Sequence, residues 1–127
     1  MPFYTQEWNR SLFIAAALTA ALAVGLGAFG AHALRDTLTA SQLANWHTAV
    51  SYQLWHALAA VTFASLDTRK VGHSGWALLI GALLFSGSIY ALCLGAARPI
   101  AYITPIGGTL MLTGWLRAAW LAFRTRN

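Results

Sequence analysis

Charge is what this sequence has least of. Only 9% of its 127 residues are charged and 58% are hydrophobic, whereas a soluble domain carries about 25% charged residues. So few charges cannot clothe a globule of this size in water, and the apolar excess points to a bilayer. Acidic residues are the scarcest: Glu7, Asp36 and Asp67 are the three. None falls inside a long apolar run, which excludes the buried carboxylate relay of proton pumps. A single cysteine, Cys93, excludes an internal disulfide and any multi-cysteine metal site. There is no phosphate-binding glycine loop, no paired-acid motif and no Ser-His-Asp series. No metal, cofactor or catalytic residue is therefore expected, and the chain reads as a non-enzyme.

The basic residues outnumber the acidic ones, for a formal net charge of +5. That balance alone would suit nucleic acid, but the positions argue otherwise. Arg10, Arg35, Arg69, Lys70, Arg98, Arg117, Arg124 and Arg126 lie in or beside the gaps between apolar runs, where membrane proteins keep their basic residues. Nucleic acid is excluded as a partner, and the lipid bilayer takes its place.

Four apolar runs, about 11–34, 46–66, 75–94 and 105–123, each approach the ~20 residues that a spanning helix needs. The first is too long for the apolar core of a signal peptide. The joints "RDTLTA", "DTRKVGH" and "AARPIAYIT" are short enough to force neighbouring helices antiparallel. The expected fold is thus all-α, one domain over residues 1–127, an integral membrane antiparallel four-helix bundle. With four spans, Arg10, Arg69, Lys70, Arg117, Arg124 and Arg126 share one side and Arg35 and Arg98 the other. The positive-inside rule then places both termini in the cytoplasm. Trp8, Trp46, Tyr102, Trp115 and Trp120 fall near the expected interfaces and read as anchoring rings.

Helix starts are marked by Ser41, a candidate N-cap, and by Thr104 with Pro105, a cap followed by a proline at the first helical position. Small residues at helical spacing, Gly25 and Gly30 in the first helix, Gly81 and Gly87 in the third, Gly107, Gly108 and Gly114 in the fourth, predict close helix packing. A second use for "PIGG" is an oxygen-binding helix start, with N–H groups free at Ile106, Gly107 and Gly108.

The anomaly is "TAVSYQLWHALA", residues 48–59, which keeps Tyr52, Gln53, Trp55 and His56 in an apolar run. Tyr52 and His56 share a helix face with Asn45, and Gln53 sits one step round. His32, Ser86, Ser88, Tyr90 and Thr104 are expected in the same leaflet. Two readings stand. The groups bond one another and stitch the helices, or His32, Tyr52, Gln53, His56, Ser88 and Thr104 form an outer-leaflet pocket for a quinone, lipid or haem. Haem held between His32 and His56 requires equal depth, yet residue counts put them roughly 15–20 Å apart. His73 reads as solvated, Cys93 as a packing residue, and Asp36 with Arg35 as a surface pair.

"GAFGAHAL" (27–34), Trp46 with "TAVSYQLWHALA", "LFSGSIYAL" (84–92), and "TPIGG" followed by "GW" at 114–115 closely resemble the domain of unknown function 423 family, whose animal relatives are called transmembrane protein 256. The likeness covers almost the whole chain, about 11–120. It implies a small four-helix integral membrane protein and brings no activity with it; the alanine-rich and arginine-rich style of the chain points to a bacterial cytoplasmic (inner) membrane. The role expected is a scaffold or accessory subunit, working as a homo-oligomer or within a larger membrane complex.

Overall fold

The computed structural model describes residues 8–66 and 69–125, and for Arg69 the backbone alone. Four helices account for most of them: α1 (Arg10–His32), α2 (Ala40–Ser65), α3 (Arg69–Cys93) and α4 (Ile103–Arg124), with a 3₁₀ turn at Arg98–Tyr102 leading into α4. Two pass for membrane spans by length and composition, Arg10–His32 with mean hydropathy 2.3 and Lys70–Cys93 with 1.9. α2 and α4 fall outside that test. They carry the polar set of residues 45–56 and the threonines, glycines and Arg117 of 104–117, which lower their hydropathy without shortening them.

The helix ends differ from expectation in instructive ways. α2 is capped by Thr39 rather than Ser41: the Thr39 hydroxyl accepts from Gln42 N at 3.1 Å while the Gln42 side chain accepts from Thr39 N at 2.9 Å. That reciprocal capping box satisfies two orphan donors at once, which Ser41 could not do. Thr104 is no cap either. The 3₁₀ turn starts the coil at Arg98, with Pro99 in its first positions, so Thr104 and Pro105 lie within continuous helix. As a result the N–H groups of Ile106, Gly107 and Gly108 have intrahelical acceptors, and the oxygen-binding use of "PIGG" is withdrawn. α3 closes with Gly95 at φ +97°: Ala96 N donates to Ala91 O at 2.9 Å and Gly95 N to Leu92 O at 3.2 Å. This is the Schellman pattern, and its left-handed residue is one that glycine adopts without a Cβ clash.

Each helix packs on the next in sequence, α1 on α2, α2 on α3 and α3 on α4, with α1 touching α3 lightly. Paired residues run in opposite order: Gly30 meets Trp46 and Gly27 meets Val50, Ser86 meets Ala49 and Gly75 meets Phe63, Gly81 meets Gly107 and Ser74 meets Gly114. The core is therefore a row of seams, not a central column. One apolar group, Leu12, Ala16, Ala57, Ala60, Ala64 and Leu79, holds α1, α2 and α3 together toward the end where α1 starts. A second, Leu34, Trp46 and Cys93, fills the opposite end. At the first end Asn9 caps α1 through its side chain and donates its own N–H to Ala64 O at 2.8 Å, pinning the start of α1 to the end of α2.

Small residues make the seams close, though not all of those expected to. A methyl group on Gly81 would lie 2.8 Å from Gly107 O and from Met111 N, and one on Gly114 would lie 3.0 Å from Ser74 O. A methyl group on Gly30 would lie 2.5 Å from the Trp46 ring. A methyl group on Gly108 would meet Phe85 only at 3.9 Å, and one on Gly25 or Gly87 would meet nothing within 4 Å. Gly72 and Gly75, which carried no expectation, sit against Asn9 and Leu12.

Candidate functional site: a polar layer between the helices

The structure divides the expected polar cluster. Gln53 is fully buried and joins three helices: its Nε2 donates to Thr19 O of α1 at 3.0 Å, and its Oε1 accepts from Tyr90 OH of α3 at 2.7 Å. Ser86 lies four residues before Tyr90, hence on the same face of α3, and its hydroxyl donates to Ala49 O at 2.6 Å. Between α3 and α4, Ser88 and Thr104 share a hydrogen bond at 2.6 Å. Ser88 also gives its one proton to Phe85 O at 2.8 Å, so Thr104 is the donor between them.

His56 is buried but local. Its Nδ1 lies 2.8 Å from Tyr52 O, one turn back; a carbonyl only accepts, so Nδ1 carries the proton between them. The imidazole stacks on Tyr52 with ring centres 5.7 Å apart and meets the edge of Trp115 at 6.1 Å. His32 joins none of these groups. It is exposed in the last turn of α1, and among the described residues no hydrogen bond links it to Tyr52, Gln53 or His56. Trp55 and His47 are exposed as well.

Two tethers lay outside the sequence reading. Trp46, expected as an interfacial ring, is 1% exposed; its Nε1 donates to Leu26 O at 2.9 Å across the α1–α2 seam, and its ring packs 4.5 Å from that of Tyr90. Arg117, expected as an end charge, donates to Lys70 O and, at 2.9 Å, to the buried hydroxyl of Ser74. One signal was available for Arg117: it stands seven residues before Arg124, the last residue of α4. For Trp46 the sequence offered only Gly30, whose partner cannot be named without the α1–α2 register.

Among the described residues, no buried side-chain nitrogen or oxygen lacks a partner. A cleft of about 500 Å³ does open beside Gln42, Asn45, Cys93 and Thr104. Of the six residues expected to form a ligand pocket it includes Thr104 alone. Cys93 there is buried and donates weakly to Gln42 O at 3.4 Å, as a packing residue does. No group of three or more metal-ligating side chains occurs among the described residues.

The Gln53 tether gives a direct test. Gln53→Leu removes both interhelix bonds and strands the Tyr90 hydroxyl. A loss of about 1 kcal/mol is expected, since membrane hydrogen bonds average ~0.6 kcal/mol each. Thermal unfolding in detergent, followed by circular dichroism, reads it; an unchanged or raised midpoint would remove Gln53 from the network.

Fold and polar layer together define a class: an all-α protein with two helices of membrane composition, in which the buried Gln53, Ser74, Ser86 and Ser88 join helix to helix. The family described as "Protein of unknown function (DUF423)" matches residues 26–108. The chain is 44% identical over 110 residues to a UPF0382 membrane protein of Staphylococcus saprophyticus, covering 84% of this chain and 92% of that relative. It is 44% identical over 116 residues to the UPF0382 membrane protein of Haemophilus influenzae, with 87% and 92% covered. With the UPF0382 inner membrane protein YgdD of Escherichia coli it shares 39% identity over 111 residues, 84% and 85% of the two chains. This chain belongs to that family of membrane proteins of unknown function. No solved structure matches it.

Proposed function

We propose that the chain is an antiparallel four-helix integral protein of the bacterial cytoplasmic membrane, with both termini inside, acting without catalysis as a scaffold or accessory subunit. The observation that carries this reading is the use of Gln53, Tyr90, Ser86, Ser88 and Thr104 as tethers between successive helices. Polar groups committed to the protein's own backbone and side chains are unavailable to a substrate, and they give a row of helices the rigidity that a scaffold needs.

The face offered to partners is on α1. Ala17, Ala21, Gly25 and Ala28 form an exposed small-residue stripe, and the space around Gly25 is empty. In lipid, close approach at such a stripe is a main source of helix association. Arg10, Lys70, Arg117 and Arg124 at the end where α1 begins, against Arg35 and Arg98 at the other, support the inward orientation of the termini; Arg126 lies outside the described residues and the side chain of Arg69 is likewise undescribed.

Native mass spectrometry of the protein extracted gently from its own membrane tests the proposal. A homo-oligomer or a defined complex is expected, lost in Gly25→Phe while the melting midpoint stays within about 0.5 kcal/mol of wild type, as for a surface change. An assembly untouched by that substitution would move the contact off α1. A strictly monomeric protein that retains a stoichiometric chromophore would replace the scaffold with a binding module.

A further inference from the structure

We propose that a cleft at the end where α2 stops, α3 starts and α4 stops binds one anionic phospholipid, its phosphate held by Lys70 and Arg124 and an acyl chain laid on Phe63, Leu66 and Leu121. The site rests on the membrane setting of the family and on the inward orientation of the termini proposed above, and is independent of the scaffold role.

The cleft has a volume of about 620 Å³, within the ~300–1,000 Å³ of small-molecule sites. Its bed is apolar, built from the end of α2 and the last two turns of α4, and it is partly open rather than enclosed. Lys70 comes from the first turn of α3 and Arg124 from the last turn of α4, so two cations from different helices meet one ligand.

Neither cation has an acidic partner among the described residues. Asp36, the one acid described, lies in the α1–α2 joint at the far end; Glu7 and Asp67 lie outside the described residues. Arg117, by contrast, is already spent: it donates to Lys70 O and Ser74, which fixes the backbone that carries Lys70. The Arg124 guanidinium sits 5.8 Å over the Trp120 ring. A cation–π contact of this kind gives the N–H donors no acceptor atom and leaves them for an oxygen anion. The positive end of the α3 dipole adds to the field, while the negative ends of α2 and α4 oppose it and Arg124 offsets that of α4. Basic pockets between membrane helices at the cytoplasmic side are where anionic headgroups bind.

The test uses the whole chain, delipidated in a non-ionic detergent, with phosphatidylglycerol or phosphatidylcholine of identical acyl chains added before native mass spectrometry. One phosphatidylglycerol is expected to stay bound at least tenfold more readily than phosphatidylcholine. Lys70→Gln and Arg124→Gln each weaken retention about fivefold. Ala122→Trp, which fills the cleft and keeps both charges, abolishes it. Lys70, Ala122 and Arg124 are exposed, so all three variants are expected to fold, with Ala118→Trp as a second occluding change. Equal retention of the two lipids overturns the proposal, as does selective binding that survives both tryptophans or both charge removals.

Discussion

Gly107→Val is expected to separate α3 from α4 and to cost about 3 kcal/mol, the upper part of the range for overpacking a close seam. The reason is what the new side chain would strike. A methyl on Gly107 would collide with the Phe85 backbone nitrogen and lie 2.6 Å from Gly81 O. Backbone cannot swing aside as a side-chain tip can, so the helices themselves must part. Parting them stretches the Ser88–Thr104 and Arg117–Ser74 hydrogen bonds on either side of the crossing. The control is built into the sequence. Gly108→Val points at Phe85 across 3.9 Å, an ordinary contact, and is expected to change stability by less than about 0.5 kcal/mol. Unfolding of both variants in mixed detergent, followed by tryptophan fluorescence and circular dichroism, reads the difference. Equal effects at the two adjacent glycines would mean that the close α3–α4 crossing is not as described.

The same pair shows how far sequence carries. Helix number was legible because apolar runs separated by short polar joints report one helix each, whereas α2 and α3 begin at Ala40 and Arg69, six residues before their apolar runs, because polar first turns extend them. That small residues would mediate packing was also legible. Which glycines do so was not: Gly25 and Gly87 look like Gly30 and Gly81 in the sequence, and only the facing helix separates them. The polar segment behaved likewise. Gln53 was singled out because a buried amide in an apolar run must find partners, but its partners, Thr19 and Tyr90, lie 34 and 37 residues away. Residues 52 and 56 fall on one face as spacing predicted, yet His56 bonds its own helix rather than a neighbour. His32 was drawn in through its expected leaflet, and depth alone does not fix direction. Register between helices, which decides every one of these cases, is a long-range property that local periodicity cannot encode.

Trp46 and Gly30 give the second large effect, and it is a coupled one. Trp46→Ala is expected to cost about 3 kcal/mol, the low end for truncating a buried aromatic, because lipid-like surroundings return part of the transfer energy that water would not. It removes the ring that fills the α1–α2 seam and the hydrogen bond from Nε1 to Leu26 O. Gly30→Leu alone is expected to cost ~2–3 kcal/mol by overpacking, since even its first carbon would lie 2.5 Å from two indole atoms. In the double variant the leucine occupies the space that the indole has vacated. The two losses should then fall short of their sum by at least about 1 kcal/mol, the signature of residues in contact. A cycle of four unfolding curves measures this directly. Strict additivity would place Gly30 and Trp46 apart and return Trp46 to the interfacial position that its sequence context suggested, leaving α1 joined to α2 chiefly through Gln53 and the alanine seam of Ala16, Ala57 and Ala60. A large coupling would make the indole and the glycine one packing unit, so that the register of α1 on α2 is set by a single ring in a single notch.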